Sequence, residues 1–175
     1  MKSAAPLLAG VFMLYWPYFW CWHRKESFEE YGLRWVFERK SAVQTLAVTA
    51  VVLSLLTPAA FFLSLERLPH SRSVGEILRM SASGLAAAVI EETFFRGWMQ
   101  TVLKKFFSPN AAIVITNMVF APTHLLAAPR VISLATFFPG LVMGALKEKY
   151  GNIFPSILFH FLGNVWSIWF FPSSF

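Results

Sequence analysis

The segment Ala86-Ala87-Ala88-Val89-Ile90-Glu91-Glu92-Thr93-Phe94-Phe95-Arg96 sets two carboxylates and a guanidinium inside an otherwise apolar run. Each ionised side chain at mid-bilayer depth costs on the order of 3 kcal/mol even on the lenient insertion scale, so three such groups demand compensation. On a helix Glu92 and Arg96 are i,i+4 neighbours that can pair on one face, whereas Glu91 projects about 100° away and lacks that partner. Two further apolar runs carry Phe120-Ala121-Pro122-Thr123-His124 and His160-Phe161-Leu162-Gly163-Asn164. His160 and Asn164 are again four residues apart, so one helical face aims both at one spot. Pro122 is expected to break the backbone ladder just before His124 and open that helix locally.

These groups together supply what amide hydrolysis needs. A carboxylate shielded from bulk water beside a histidine can take a proton from a water molecule near neutral pH. Glu91 is the expected base, and His124 the group that orients the water or shuttles its proton. The tetrahedral intermediate develops an oxyanion that needs fixed donors, and His160 and Asn164 can offer two from one helix. Arg96 then holds Glu92 charged and fixes the rotation of the helix, so Glu91 reacts and Glu92 supports. The plainer reading makes Glu91, Glu92 and Arg96 a buried ion-pair network that only locks helices together.

The elements that must position these residues follow from composition. Of 175 residues, 57% are apolar and 14% charged, against about 25% charged in soluble domains. The chain therefore reads as an all-α, polytopic membrane bundle; at roughly 20 residues per crossing it has room for about six spans and no separate soluble domain. The apolar runs predict spans near 4–22, 42–64, 76–103, 110–127, 131–146 and 153–171. Residues 1–75 read as an anchor span, an interfacial amphipathic segment between Arg24 and Lys40, and a second span; residues 76–175 read as the catalytic core. Lys2 precedes the first apolar run and no small-x-small cleavage site follows it, so that run is expected to be a retained anchor.

Fifteen Lys and Arg against nine acidic residues give a net charge of +6, read here as cytoplasmic loops facing anionic lipid and not as a nucleic-acid site. With six spans, one side receives Arg24, Lys25, Arg34, Arg39, Lys40, Lys104, Lys105, Lys147 and Lys149. The other receives Lys2, Arg67, Arg72 and Arg130, with Arg79 near the same end. The positive-inside bias then places both termini outside the cytoplasm of a multi-pass protein of the cell membrane. Trp16, Trp20, Trp22, Trp166 and Trp169 lie near span ends and are expected to be interfacial anchors.

None of the nine acidic residues is Asp, which excludes paired-aspartate proteolysis, and the single Cys21 allows neither an intrachain disulfide nor a Cys-rich metal cluster. Nothing near Cys21 would activate it, so it reads as a packed thiol. Ser81-Ala82-Ser83-Gly84 only loosely matches a serine-protease nucleophile motif and reads as small residues that permit close helix packing.

The patterns Glu91-Glu92-x-x-x-Arg96, Phe120-x-x-x-His124 and His160-x-x-x-Asn164, in that order on separate apolar spans, resemble the CPBP family. That family includes the type II CAAX prenyl endopeptidases and the bacterial Abi-type membrane proteins. The resemblance covers about residues 80–170. It implies an all-helical intramembrane glutamic endopeptidase, with Glu91 and His124 activating water, His160 and Asn164 as the oxyanion pair, and no metal or other cofactor. The implied substrate is a membrane-anchored protein cleaved in its C-terminal tail. Small bacterial members are similar to proteases that process sorting tails, including a JDVT-type group.

Rival readings keep the residues and change the chemistry. Glu91, Glu92, His124 and His160 could ligate zinc, although the His-Glu-x-x-His run of membrane zinc proteases is absent from the sequence. A binding or immunity protein could retain the fold without turnover, but it would not need an unpaired intramembrane Glu. A proton-coupled transporter would be expected to show internal repeats, and none is visible.

Overall fold

The computed structural model describes residues 5–33, 35–63, 69–127 and 129–170. Lys2, Arg34 and Arg67, used above to set orientation, lie outside the described residues. The elements are α1 (Ala5–Arg24), α2 (Arg39–Leu63), α3 (Val74–Glu92), a π-helical segment (Thr93–Met99), α4 (Gln100–Leu103), α5 (Pro109–Ala127), a 3-10 turn (Val131–Thr136), α6 (Phe137–Tyr150) and α7 (Phe154–Phe170). The π segment joins α3 to α4 in one rod, so six rods make the bundle, with no strand among the described residues.

Local chemistry sets the rod ends. Ser73 caps α3: its hydroxyl accepts the Glu76 N–H while the Glu76 carboxylate accepts the Ser73 N–H, a reciprocal capping box. Ser108 accepts the Ala111 N–H ahead of α5, whose first residue, Pro109, needs no amide partner there. Helix α6 stops at Gly151, which takes the left-handed conformation (φ +69°) and donates its N–H to the Lys147 carbonyl. Helix α5, by contrast, runs uninterrupted through Pro122, so the expected break is not there. The Thr123 hydroxyl and the His124 ring both bond the Phe120 carbonyl and brace that turn.

Packing centres on α7, which α2, α3 and α6 flank, while α1 lies against α3 and the π segment. Large apolar side chains point away from this core: Phe62 is 88% exposed, Leu126 90% and Val131 83%. In a soluble chain that surface would aggregate, and on a helical bundle it is a lipid-facing one. Two helical stretches, Arg39–Phe62 and Val131–Tyr150, are long and apolar enough on composition alone to cross a membrane. The α3 rod carries charges, and α7 is only 17 residues long.

Two expectations for the N-terminal part need correction. The interfacial amphipathic segment expected between Arg24 and Lys40 is a turn-built loop over its described residues before Arg39, where α2 begins. Its Tyr31 and Leu33 are buried, and Gly32 (φ +66°) comes so close to the α6–α7 turn that a Cβ would sit 3.0 Å from the Asn152 Cα. The Ile153 N–H bonds the Gly32 carbonyl at 3.0 Å, which ties the loop down. Trp16 and Trp20 are not simple interfacial anchors either, because both pack edge-on against Trp98 and Trp20 donates to the Tyr31 hydroxyl at 3.0 Å. Cys21 is fully buried in this cluster.

Candidate active site

The two adjacent glutamates end in different places. Glu92 is fully buried and its Oε1 receives both the Arg96 Nη1, at 3.3 Å, and the His160 Nδ1, at 2.8 Å. Glu91 faces a cavity of about 380 Å³, which His124, His160, Asn164 and Phe120 also line and which Glu92 and Arg96 do not reach. The predicted site residues therefore come together, with the carboxylates divided between an internal pair and a cavity wall.

Partner chemistry fixes how the imidazoles face Glu91. A carbonyl oxygen can only accept, so the contact of His124 Nδ1 with the Phe120 carbonyl at 3.3 Å makes Nδ1 the donor. The same logic applies to His160 Nδ1 on the Glu92 carboxylate. Each ring then turns Nε2 toward Glu91, and both Nε2 atoms lie 3.9 Å from the same Glu91 Oε2. That separation is too long for a direct hydrogen bond and is one a water molecule bridges. Glu91 Oε2 is itself buried and makes no hydrogen bond to a described residue. Asn164 commits one amide hydrogen to the Gly84 carbonyl at 2.9 Å, which leaves its second for the cavity. The close approach of α7 to Gly84 accords with the small-residue reading of that stretch.

The backbone under this site departs from a regular helix. Where the π segment ends, the Gln100 N–H reaches back five residues to the Phe95 carbonyl, the wide-turn pattern that recurs at functional sites. At its start the Thr93 hydroxyl takes the Val89 carbonyl at 2.7 Å, a side-chain competitor for helix hydrogen bonds. Arg96 lies within the segment, fully buried. Its Nη2 donates to Asn117 Oδ1 at 3.0 Å and to the Gly140 carbonyl at 3.2 Å, and its guanidinium lies 4.1 Å from the centre of the Phe120 ring. One helical turn on, Gln100 Nε2 donates to the Gly144 carbonyl at 3.1 Å and to Glu148 at 2.9 Å.

Asn117, Gly140, Gln100 and Gly144 were not singled out from the sequence. The available signals were the i,i+4 spacing of Arg96 with Gln100 and the Gly140-x-x-x-Gly144 spacing that lets helices approach closely. The close approach is real: a Cβ on Gly140 would fall 1.9 Å from Asn117 Oδ1. Trp166, read as an anchor, instead lines the cavity and donates to the Thr57 hydroxyl at 3.0 Å. Among the described residues no group of three or more His, Cys, Asp or Glu side chains is arranged to hold a metal ion.

No curated protein and no solved structure matches the chain. A family model described as type II CAAX prenyl endopeptidase Rce1-like matches residues 73–166. That stretch is more than half of the sequence and contains Glu91, Glu92, Arg96, His124, His160 and Asn164 together with every helix that lines the cavity among the described residues except α2. With this match, a helical bundle faced with apolar side chains and polar residues gathered at its interior, the chain belongs to the Rce1-like family of type II CAAX prenyl endopeptidases, helical membrane proteins that cleave peptide bonds.

Proposed function

We propose that this protein is a glutamic-type intramembrane endopeptidase that cuts the C-terminal tail of a membrane-anchored protein without a metal or other cofactor. The observation that carries the reading is the position of Glu91 Oε2, 3.9 Å from both imidazole Nε2 atoms inside the cavity. A water held among the three is oriented by the rings while Glu91 accepts its proton. The water oxygen attacks the scissile carbonyl carbon. Asn164, with its spare amide hydrogen, and His160, when protonated, face the developing oxyanion. Glu91 returns the proton to the leaving nitrogen as the carbon–nitrogen bond breaks. The mainly apolar walls, including Leu56, Ile132 and Phe159, suit a lipid-soluble tail in extended form.

The test uses purified protein in detergent with a candidate tail peptide, with and without a chelator, beside Glu91→Gln. Cleavage should survive chelation and fall by about 10²-fold or more in the variant, the usual loss for a missing base. The variant should fold normally, since Glu91 Oε2 has no hydrogen bond to a described residue to lose. Cleavage abolished by the chelator would transfer the chemistry to zinc, and peptide binding without turnover would favour an immunity protein.

A further inference from the structure

The cavity lies toward one end of the bundle, and most of the described cationic residues gather at the other, against Arg72, Arg79 and Arg130 at the cavity end. Besides Ala87 and Glu91, midway along the α3 rod, its lining falls within 52–60 of α2, 120–124 of α5, 132–143 of the 3-10 turn and α6, and 159–167 of α7. Each stretch belongs to the half nearest the loop before α3, where the His70 N–H bonds the Trp169 carbonyl at 3.0 Å and Arg72 reaches the Ile168 carbonyl at 3.5 Å. At the opposite end the ends of α1, α4 and α6 gather Lys, Arg and Glu: Lys105 pairs with Glu26 at 2.7 Å, Lys104 with Glu148 at 2.5 Å, and Lys149 with Gln44 at 3.1 Å. Between cavity and cationic end the interior is filled by the Arg96–Asn117–Gly140 network and by Gln100 on Gly144.

Lys and Arg concentrate on the cytoplasmic side of membrane proteins, and anionic lipid on that face adds to the bias. Resting on the protease reading above, we propose that the cavity opens to the non-cytoplasmic side, so that the substrate is a membrane-anchored protein whose cleavable tail lies at or beyond the outer face. A tail displayed in the cytoplasm would meet the plugged, cationic end.

Sidedness can be read without turnover. Ser133→Cys, on the cavity wall, and Ser27→Cys, exposed at the cationic end, are expressed separately in cells and treated with a membrane-impermeant maleimide before and after permeabilisation. The native thiol, Cys21, is fully buried and serves as the blank. The expected result is labelling of Ser133→Cys on intact cells and of Ser27→Cys only once the membrane is opened. The reverse pattern, or labelling of both variants from one side, would overturn the proposal. Outward labelling of Ser133→Cys with no cleavage of any tail would discard the protease and leave the sidedness standing, so the two failures are told apart.

Discussion

Glu91 and Glu92 share a residue type, a helix and a neighbourhood, yet one lines a cavity and the other is sealed with Arg96 and His160. Removing one member of a buried charge pair leaves the other uncompensated, at about 3–5 kcal/mol. Glu92→Gln should therefore lower the melting temperature and the yield in detergent along with activity, whereas Glu91→Gln should lose activity alone; unchanged thermal unfolding of Glu92→Gln would remove its assigned supporting role. Much of this was legible from sequence, because charges in an apolar run must be justified and the i,i+4 rule pairs Glu92 with Arg96. What spacing could not show is that His160 would bond Glu92 as well, since that contact spans two helices. It also could not show that Asn164 gives half of its amide to Gly84.

Among the elements, the rods came within a few residues of their expected bounds because apolar run length and capping residues are local signals. The π segment was not legible: the bonds that hold its Arg96 reach across to α5 and α6, and contacts between helices leave no periodic trace in one of them. The glycines of α6 carry the tightest constraint. Gly140→Ala would drive a methyl into Asn117 and toward Arg96 Nη2, 3.1 Å from the added carbon, and overpacking of this kind typically costs 1–3 kcal/mol. Gly163→Ala meets nothing within 4 Å and should leave thermal unfolding unchanged or slightly improved. Equal melting temperatures for the two variants would show that the Arg96 network does not depend on the close approach of α6.

Taken as a whole, the molecule joins its cationic end through a small surface cluster. The hydrogen bond from Lys105 holds the Glu26 carboxyl below its ordinary 4.5, with Tyr31 adding a second, and the bond to Glu26 holds Lys105 above its ordinary 10.5. The Glu26 contribution to stability is thus in full force above pH 4.5 and drains away as pH falls through the lower folded value. The Lys105 contribution is complete below pH 10.5 and is lost as pH climbs through the higher folded value. In melting curves across both limbs, Glu26→Gln should flatten the acid-side fall. Because both groups touch solvent, the effect should shrink in high salt, and an acid limb identical to that of the native chain would rule the cluster out as its source.

The π segment also bears on how much a motif by itself guarantees. A π turn holds one residue more than an α turn, and here it lets the Gln100 N–H reach the Phe95 carbonyl five residues back. A chain one residue shorter between Arg96 and Gln100 would make that same bond an ordinary four-residue one, with Gln100 still on the side of Gly144. Relatives with a residue fewer across this stretch would thus keep the bolts between the two rods and lose the wide turn beneath the cavity.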